Sequence, residues 1–341
     1  MSTLARFWQQ SFFLPSPQLT EHNLPDQSGR VFIVTGGYGG VGYELSKILY
    51  QRNGTVYVAG RSPEKAKRAI NTIKQAHAGS EEKLEFLILD LGGLGGIKAS
   101  AEAIPGREER LDVLVDDACV MQNPLTSTTH QTHELQLGTN CLGPFLLTKL
   151  LTPPRQQTAR AVSTPAGSVR VLWAGSVGIE VRSPANGGMD LSSSSNDEAR
   201  HPVPSTKDTM LNYRMSKVGN LFLASQFVVR TTVPLPLNGE DDAAGKGLVS
   251  LCFNPGNLRT ELQREMEGVQ KWASSTFLLY LTVMGSNTKL SASCGEESGR
   301  IGSHGGYVFP WCRMGDVRAD IQREVEAGKK GEGKAVAFWE W

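Results

Sequence analysis

Hydrophobic and polar positions along this chain switch between two periods. Residues 31–35 form a short continuous apolar run that ends in glycines. The following segment, 41–51, carries Val41, Leu45, Ile48 and Leu49 at helical spacing. Residues 55–59 read as a second strand. Ser62-Pro63 then opens a helix, with the serine as cap and the proline in the first turn. Apolar runs at 84–89, 111–115, 169–174 and 248–253 read as strands three to six, with helices between most of them. Near-continuous apolar strands alternating with helices predict an α/β fold: a single doubly wound domain, its central parallel sheet covered by helices on both faces.

The pattern also sets the organisation around that domain. Residues 1–28 read as a leader whose aromatics (Phe7, Trp8, Phe12, Phe13) pack on the domain, because Pro15 and Pro17 break any long helix there. The domain runs over 29–316, and 317–341 reads as a C-terminal helix and tail. Two polar stretches, 183–208 and 234–246, read as surface insertions, the first at the mouth of the site. The stretch 262–293, with Trp272, Phe277, Tyr280 and Met284, reads as a substrate lid.

Composition narrows the function. Lys and Arg total 35 against 34 Asp and Glu, and this net charge of +1 argues against a general nucleic-acid binder. The 37 glycines exceed the usual ~7% share, which suggests close backbone approach to a ligand. The five cysteines are widely spaced with no C-x-x-C, so neither a disulfide framework nor a zinc site is expected; His130 and His133 read as a solvated loop, and no metal is expected. The apolar run 277–284 is too short to span a bilayer at ~20 residues. No secretory signal is read in residues 1–10, so a reducing, cytoplasmic location is expected. Weak peripheral membrane contact through the leader, and a homodimer, stay open.

Candidate chemistry begins at the turn after the first strand. Thr35-Gly36-Gly37-Tyr38-Gly39-Gly40-Val41-Gly42 lets backbone N–H groups and a helix N-terminus approach a pyrophosphate. The second strand ends Ala59-Gly60-Arg61-Ser62, where a carboxylate would favour NAD; Arg61 instead offers its planar fork to the 2′-phosphate of NADP(H). Tyr213 and Lys217 lie at i and i+4 on one helix face, where an ammonium favours the phenolate. Ser176 lies just past strand five, at the carboxyl edge where such sheets bind ligands, and its hydroxyl can bond a substrate oxygen. Asn140 opens the helix between strands four and five, and Asn254-Pro255-Gly256 follows strand six.

Together these residues resemble the short-chain dehydrogenase/reductase family over roughly residues 28–312. The spacing Gly36-x-x-x-Gly40-x-Gly42 is the family's; it also fits sugar-nucleotide epimerases, against which the Pro255-Gly256 turn argues. The long gap from Ser176 to Tyr213, the LGTNCLGPFLLTKLL and NPGNLRTEL segments and a terminal FWEW are similar to retinol-dehydrogenase-like and fungal blue-light-inducible members. The resemblance implies a Rossmann domain and an NADP(H)-dependent oxidoreductase that interconverts a carbonyl and an alcohol. The apolar residues of 262–293 would suit a bulky, lipophilic small molecule as substrate, and the fungal resemblance implies a secondary-metabolite tailoring step. It implies Tyr213 as proton donor, Lys217 on the phenol and the nicotinamide ribose, Ser176 on the substrate oxygen and Asn140 in a water relay. Gly36, Gly40, Val41, Gly42, Arg61, Asp90, Asp116, Pro255, Gly256 and Thr260 would contact the cofactor, Asp90 at the adenine. One departure stands out: Asp116-Asp117-Ala118-Cys119 replaces the family's Asn-Asn-Ala-Gly. Added charge and bulk there put cofactor affinity in doubt, and Asp116→Asn with Cys119→Gly is expected to tighten binding. A non-catalytic dinucleotide sensor or scaffold is the alternative.

Overall fold

The computed structural model describes residues 2–193, 200–202, 206–231, 247–258, 280–296 and 304–341. The chain enters through α1 (Thr3–Ser11) and runs β1 (Val31–Thr35), α2 (Gly40–Gln51), β2 (Thr55–Gly60), α3 (Pro63–Ala76), β3 (Leu84–Ile88), α4 (Leu94–Glu102) and β4 (Val113–Asp116). It continues with α5 (Leu135–Leu137), α6 (Gly143–Leu150), α7 (Thr152–Arg160), β5 (Arg170–Ala174), β6 (Leu191–Ser193), β7 (Arg200–Pro202), α8 (Thr209–Thr231) and β8 (Val249–Phe253). The last described elements are α9 (Thr282–Cys294), β9 (Tyr307–Phe309), β10 (Arg313–Gly315), α10 (Ala319–Lys329) and α11 (Gly333–Glu340).

Eight strands form one sheet in the order β10-β9-β8-β5-β4-β1-β2-β3, parallel except for the edge pair β9–β10; β6 and β7 make a separate antiparallel pair. Alternation along β1 divides the core between the two faces. Val31 and Ile33 pack with Trp173 and Phe222, whereas Phe32 and Val34 pack with Leu45 and Ile48. The order reverses at β1, whose neighbours are β2 and β4. A crevice opens at the carboxyl ends of the strands at such a point. The local signals at α3 act as expected: Ser62 Oγ accepts the N–H of Lys65 at 3.3 Å, and Pro63 occupies the first turn.

The central parallel sheet is as expected, with one antiparallel edge strand added where β10 turns back against β9 through Pro310-Trp311-Cys312; Trp311 and Cys312 have φ of 63° and 64°. Expectations outside the sheet need correction. Residues 262–279 of the expected lid lie outside the described residues. Its remainder is mostly α9, whose side chains from Gly285 to Ser293 are buried against α2 and the sheet, so that part is core and not a cover. The described start of the first insertion is held by C-terminal elements and not by the site: Arg318 donates to the carbonyls of Ser183 and Pro184, and Lys334 to those of Asn186 and Met189. Residues 194–199, 203–205 and the insertion 234–246 lie outside the description. The C-terminus holds two helices, α10 and α11, both against α8. No helix among the described residues is long and apolar enough to cross a membrane.

Candidate active site

A cavity of about 890 Å³ lies at the carboxyl ends of the strands. Its floor is the turn after β1. Gly36 and Gly40 have φ of 69° and 52°, a conformation that disfavours side chains, and a Cβ on Gly42 would sit 2.7 Å from the Gly36 carbonyl oxygen. The turn is tied to the next strand end by Thr35, whose Oγ1 accepts the N–H groups of Asp117 and Ala118 at 2.9 Å each. Gly36, Gly40 and Val41 line the cavity, while Gly42 allows the turn to close behind them.

At one end, Arg61 and Asp90 both line the cavity. Sequence reasoning missed their neighbours Tyr38 and Lys65. Tyr38 lies over Gly60 and its hydroxyl accepts the N–H of Arg61 at 3.1 Å; Lys65 adds a second exposed cation one helical turn beyond Arg61. The i,i+4 spacing of Arg61 and Lys65 was the available signal. Asp90 Oδ1 accepts the N–H of Gly92 at 3.0 Å, and Oδ2 lies 3.5 Å from exposed His130.

The other end gathers residues from three elements. α8 presents Tyr213 and Lys217 one turn apart, with Lys217 Nζ 5.4 Å from the centre of the phenol ring and donating to the Ala174 carbonyl at 3.1 Å. Ser176 caps the turn after β5, so its Oγ accepts the N–H of Gly178 at 3.1 Å, and it lines the cavity together with Tyr213. Tyr307, on unforeseen β9, donates its hydroxyl to the Ser176 carbonyl at 2.8 Å. Burial pushes the Tyr213 phenol above its ordinary value, while Lys217 and Ser176 pull it down. Burial prevails, where the sequence suggested a lowered value. Burial disfavours the charge of Lys217, yet Cys119 and Tyr213 beside it hold its ammonium above the ordinary lysine value.

Asn140 stands in a single wide turn, Gly138–Leu142, between α5 and α6 and does not open a regular helix. Its amide donates to the Val120 carbonyl and to Ser216 Oγ at 3.0 Å each, and Oδ1 accepts the N–H of Val120 at 2.9 Å. The side chain thus clamps the cavity wall to α8. Asp116 is a further correction. It is buried at the end of β4, facing Thr148, whose Oγ1 donates to it at 2.9 Å, and it does not line the cavity; Asp117 and Cys119 do. Burial pushes its carboxyl up to about 7, against the pull of Thr148 and Arg155. Pro255 and Gly256 line the cavity; Thr260 lies outside the described residues. Phe7 of α1 reaches the cavity as well, because Gln10 and Ser11 accept hydrogen bonds from Asn254 and Asn257 at 2.8 and 2.9 Å.

A short-chain dehydrogenase model matches residues 30–175. A short-chain dehydrogenase/reductase of Phomopsis amygdali is 39% identical over 100% of this chain and 96% of its own length. The chain belongs to the short-chain dehydrogenase/reductase family. One from Pestalotiopsis fici is 38% identical over 100% of this chain and 97% of its own length. Among solved structures, an uncharacterised protein from Mycobacterium paratuberculosis superposes with a TM-score of 0.62 at 22% identity, covering 95% of this chain and 96% of that one. RhlG from Pseudomonas aeruginosa, in complex with NADP, gives 0.59 at 17%, covering 83% of this chain and 94% of that one; both share the fold. As a short-chain dehydrogenase/reductase the protein is an oxidoreductase with a nicotinamide dinucleotide cofactor. The residues fit that group: Gly36, Gly39 and Gly40 bring no side chains into the turn after β1, which leaves room for backbone N–H groups to meet a pyrophosphate.

Proposed function

We propose that the protein uses NADP(H) to interconvert a carbonyl and an alcohol on a bulky, lipophilic small molecule, in a tailoring step such as secondary metabolites undergo. The observation that carries this reading is the meeting of Ser176, Tyr213 and Lys217 in the same cavity as the glycine cradle and Arg61. The bound nicotinamide supplies or accepts the hydride. Tyr213 moves the proton to or from the substrate oxygen, Ser176 orients that oxygen, and Lys217 favours the phenolate; such acid–base help contributes ~10²–10⁴-fold. Asn140 clamps the wall behind them and, in this reading, supports a water in the proton relay.

Arg61 and Lys65 support NADP(H) over NAD(H), because two exposed cations meet a 2′-phosphate where Gly60, Arg61 and Ser62 offer no carboxylate. Phe7, Met121, Val181 and Met210 give the cavity an apolar lining that suits a lipophilic substrate. The sensor alternative drew on residues 116–119. It weakens because Asp116 faces away from the cavity and Asp117 is paired with Lys289.

Scanning lipophilic ketones, aldehydes and alcohols for NADPH or NADP⁺ absorbance change, with NADH and NAD⁺ alongside, tests the reading. Turnover with NADPH preferred over NADH supports it. Dinucleotide binding without turnover across a broad scan favours the sensor, and equal use of both cofactors overturns the NADP assignment.

A further inference from the structure

Asp117 places a carboxylate where this fold has little room for an uncompensated anion. It follows β4, lines the cavity, and stands so close to the first turn of α2 that a Cβ on Gly42 would lie 3.0 Å from its Oδ2. A pyrophosphate in the cradle meets the same turn, so carboxylate and phosphate compete for one positive helix end. The Asp117 side chain is only 15% exposed, and water screens it little.

Lys289 answers this charge from behind. It reaches from α9 with its side chain fully buried, pairs with Asp117 Oδ1, and lies 5.8 Å from the centre of the Phe253 ring. Burial lowers its ammonium from the ordinary lysine value, and Asp117 is the main group holding it up. Lys289 does not line the cavity. An ammonium taken wholly out of water is costly unless it is paired.

We propose that Lys289 is a positioning residue for the dinucleotide: by neutralising Asp117 it leaves the N-terminus of α2 to the pyrophosphate and so sets the affinity for NADPH and NADH alike. The proposal rests on the reading of the cavity as a dinucleotide site. Without Lys289, Asp117 occupies the positive end of α2 itself and repels the incoming phosphates. The aspartate that departs from the family's asparagine is thus matched by a buried lysine more than 150 positions away in the chain.

Titration of NADPH and NADH by fluorescence, with thermal unfolding alongside, tests the pair. Lys289→Met should weaken both cofactors about tenfold or more. Asp117→Asn should bind at least as tightly as the native protein. The double variant Asp117→Asn/Lys289→Met should return to within about threefold of it. A merely structural role predicts a lower melting temperature in Lys289→Met with native affinity in the protein that stays folded. Native-like affinity in Lys289→Met, or a folded double variant that binds as weakly as Lys289→Met, overturns the proposal. Should Lys289→Met not fold, the double variant decides, and a tenfold loss there counts against the proposal. A loss confined to NADPH would point to the 2′-phosphate end and overturn it too. A native protein that binds neither dinucleotide overturns the reading of the cavity itself, an outcome distinct from the others.

Discussion

Ser176 is committed before any substrate arrives. Its Oγ accepts the N–H of Gly178, which leaves the hydroxyl proton to donate, and its backbone carbonyl is held by Tyr307. Ser176→Ala should therefore lower kcat about 10²-fold with cofactor affinity within about threefold of native. Tyr307→Phe should lower kcat only a few-fold, since it acts through Ser176; steady-state kinetics with one active substrate separates the two. Asp116 carries a different prediction. Its carboxyl titrates near 7 in the folded chain against an ordinary 3.8, so the folded state holds more protons than the unfolded state across that window. Stability should then fall as pH rises from about 4 to 7. Asp116→Asn should raise stability at pH 8 by about 2 kcal/mol, with the gain shrinking toward pH 4 and NADPH affinity unchanged. Melting curves at both pH values check the sign, and an equal gain at pH 4 would contradict it. The sequence already paired Tyr213 with Lys217, because i,i+4 spacing on a helix is a local rule. It could not show that Asp116 turns away while Asp117 faces the cavity, since neighbouring strand-end residues point to opposite sides.

At the scale of elements, α1 turns the leader into a wall of the site. Arg6 pairs with buried Glu180 at 3.1 Å, Gln10 meets Asn254, and Phe7 enters the cavity, while Trp8 and Phe13 stay largely exposed. Phe7→Ala should raise KM for a lipophilic substrate about 3–10-fold and leave NADPH affinity unchanged, because only apolar contact with the substrate is removed. Competition between substrate and an inert analogue in the variant measures it. The six longer strands were legible from their apolar runs, to within a residue or two of their ends. β9 and β10 were not, because three-residue strands carry too little pattern to stand above a turn. α9 misled for a physical reason. Its buried face is built largely of serine, asparagine, threonine and glycine beside α2, so its burial follows from packing and not from hydrophobicity.

For the whole molecule, the sheet order places the glycine cradle, Ser176 and the Pro255-Gly256 turn along one edge, and α8 brings Tyr213 and Lys217 to it. That assembly was legible because each strand ends in a recognisable turn. The supports behind it, Lys289, Asn140's clamp and Tyr307, depend on contacts between distant segments that no local spacing encodes. Arg61→Ala with Lys65→Ala should erase any preference for NADPH over NADH without changing NADH affinity, as read by titration of both cofactors. The most direct test is single-turnover hydride transfer from NADPH to an active lipophilic ketone, compared between the native protein and Tyr213→Phe at saturating cofactor. A rate at least ~10²-fold lower in Tyr213→Phe, with NADPH affinity within about threefold, is the result predicted here. A Tyr213→Phe rate equal to the native one would mean that the proton comes from elsewhere and would contradict the account.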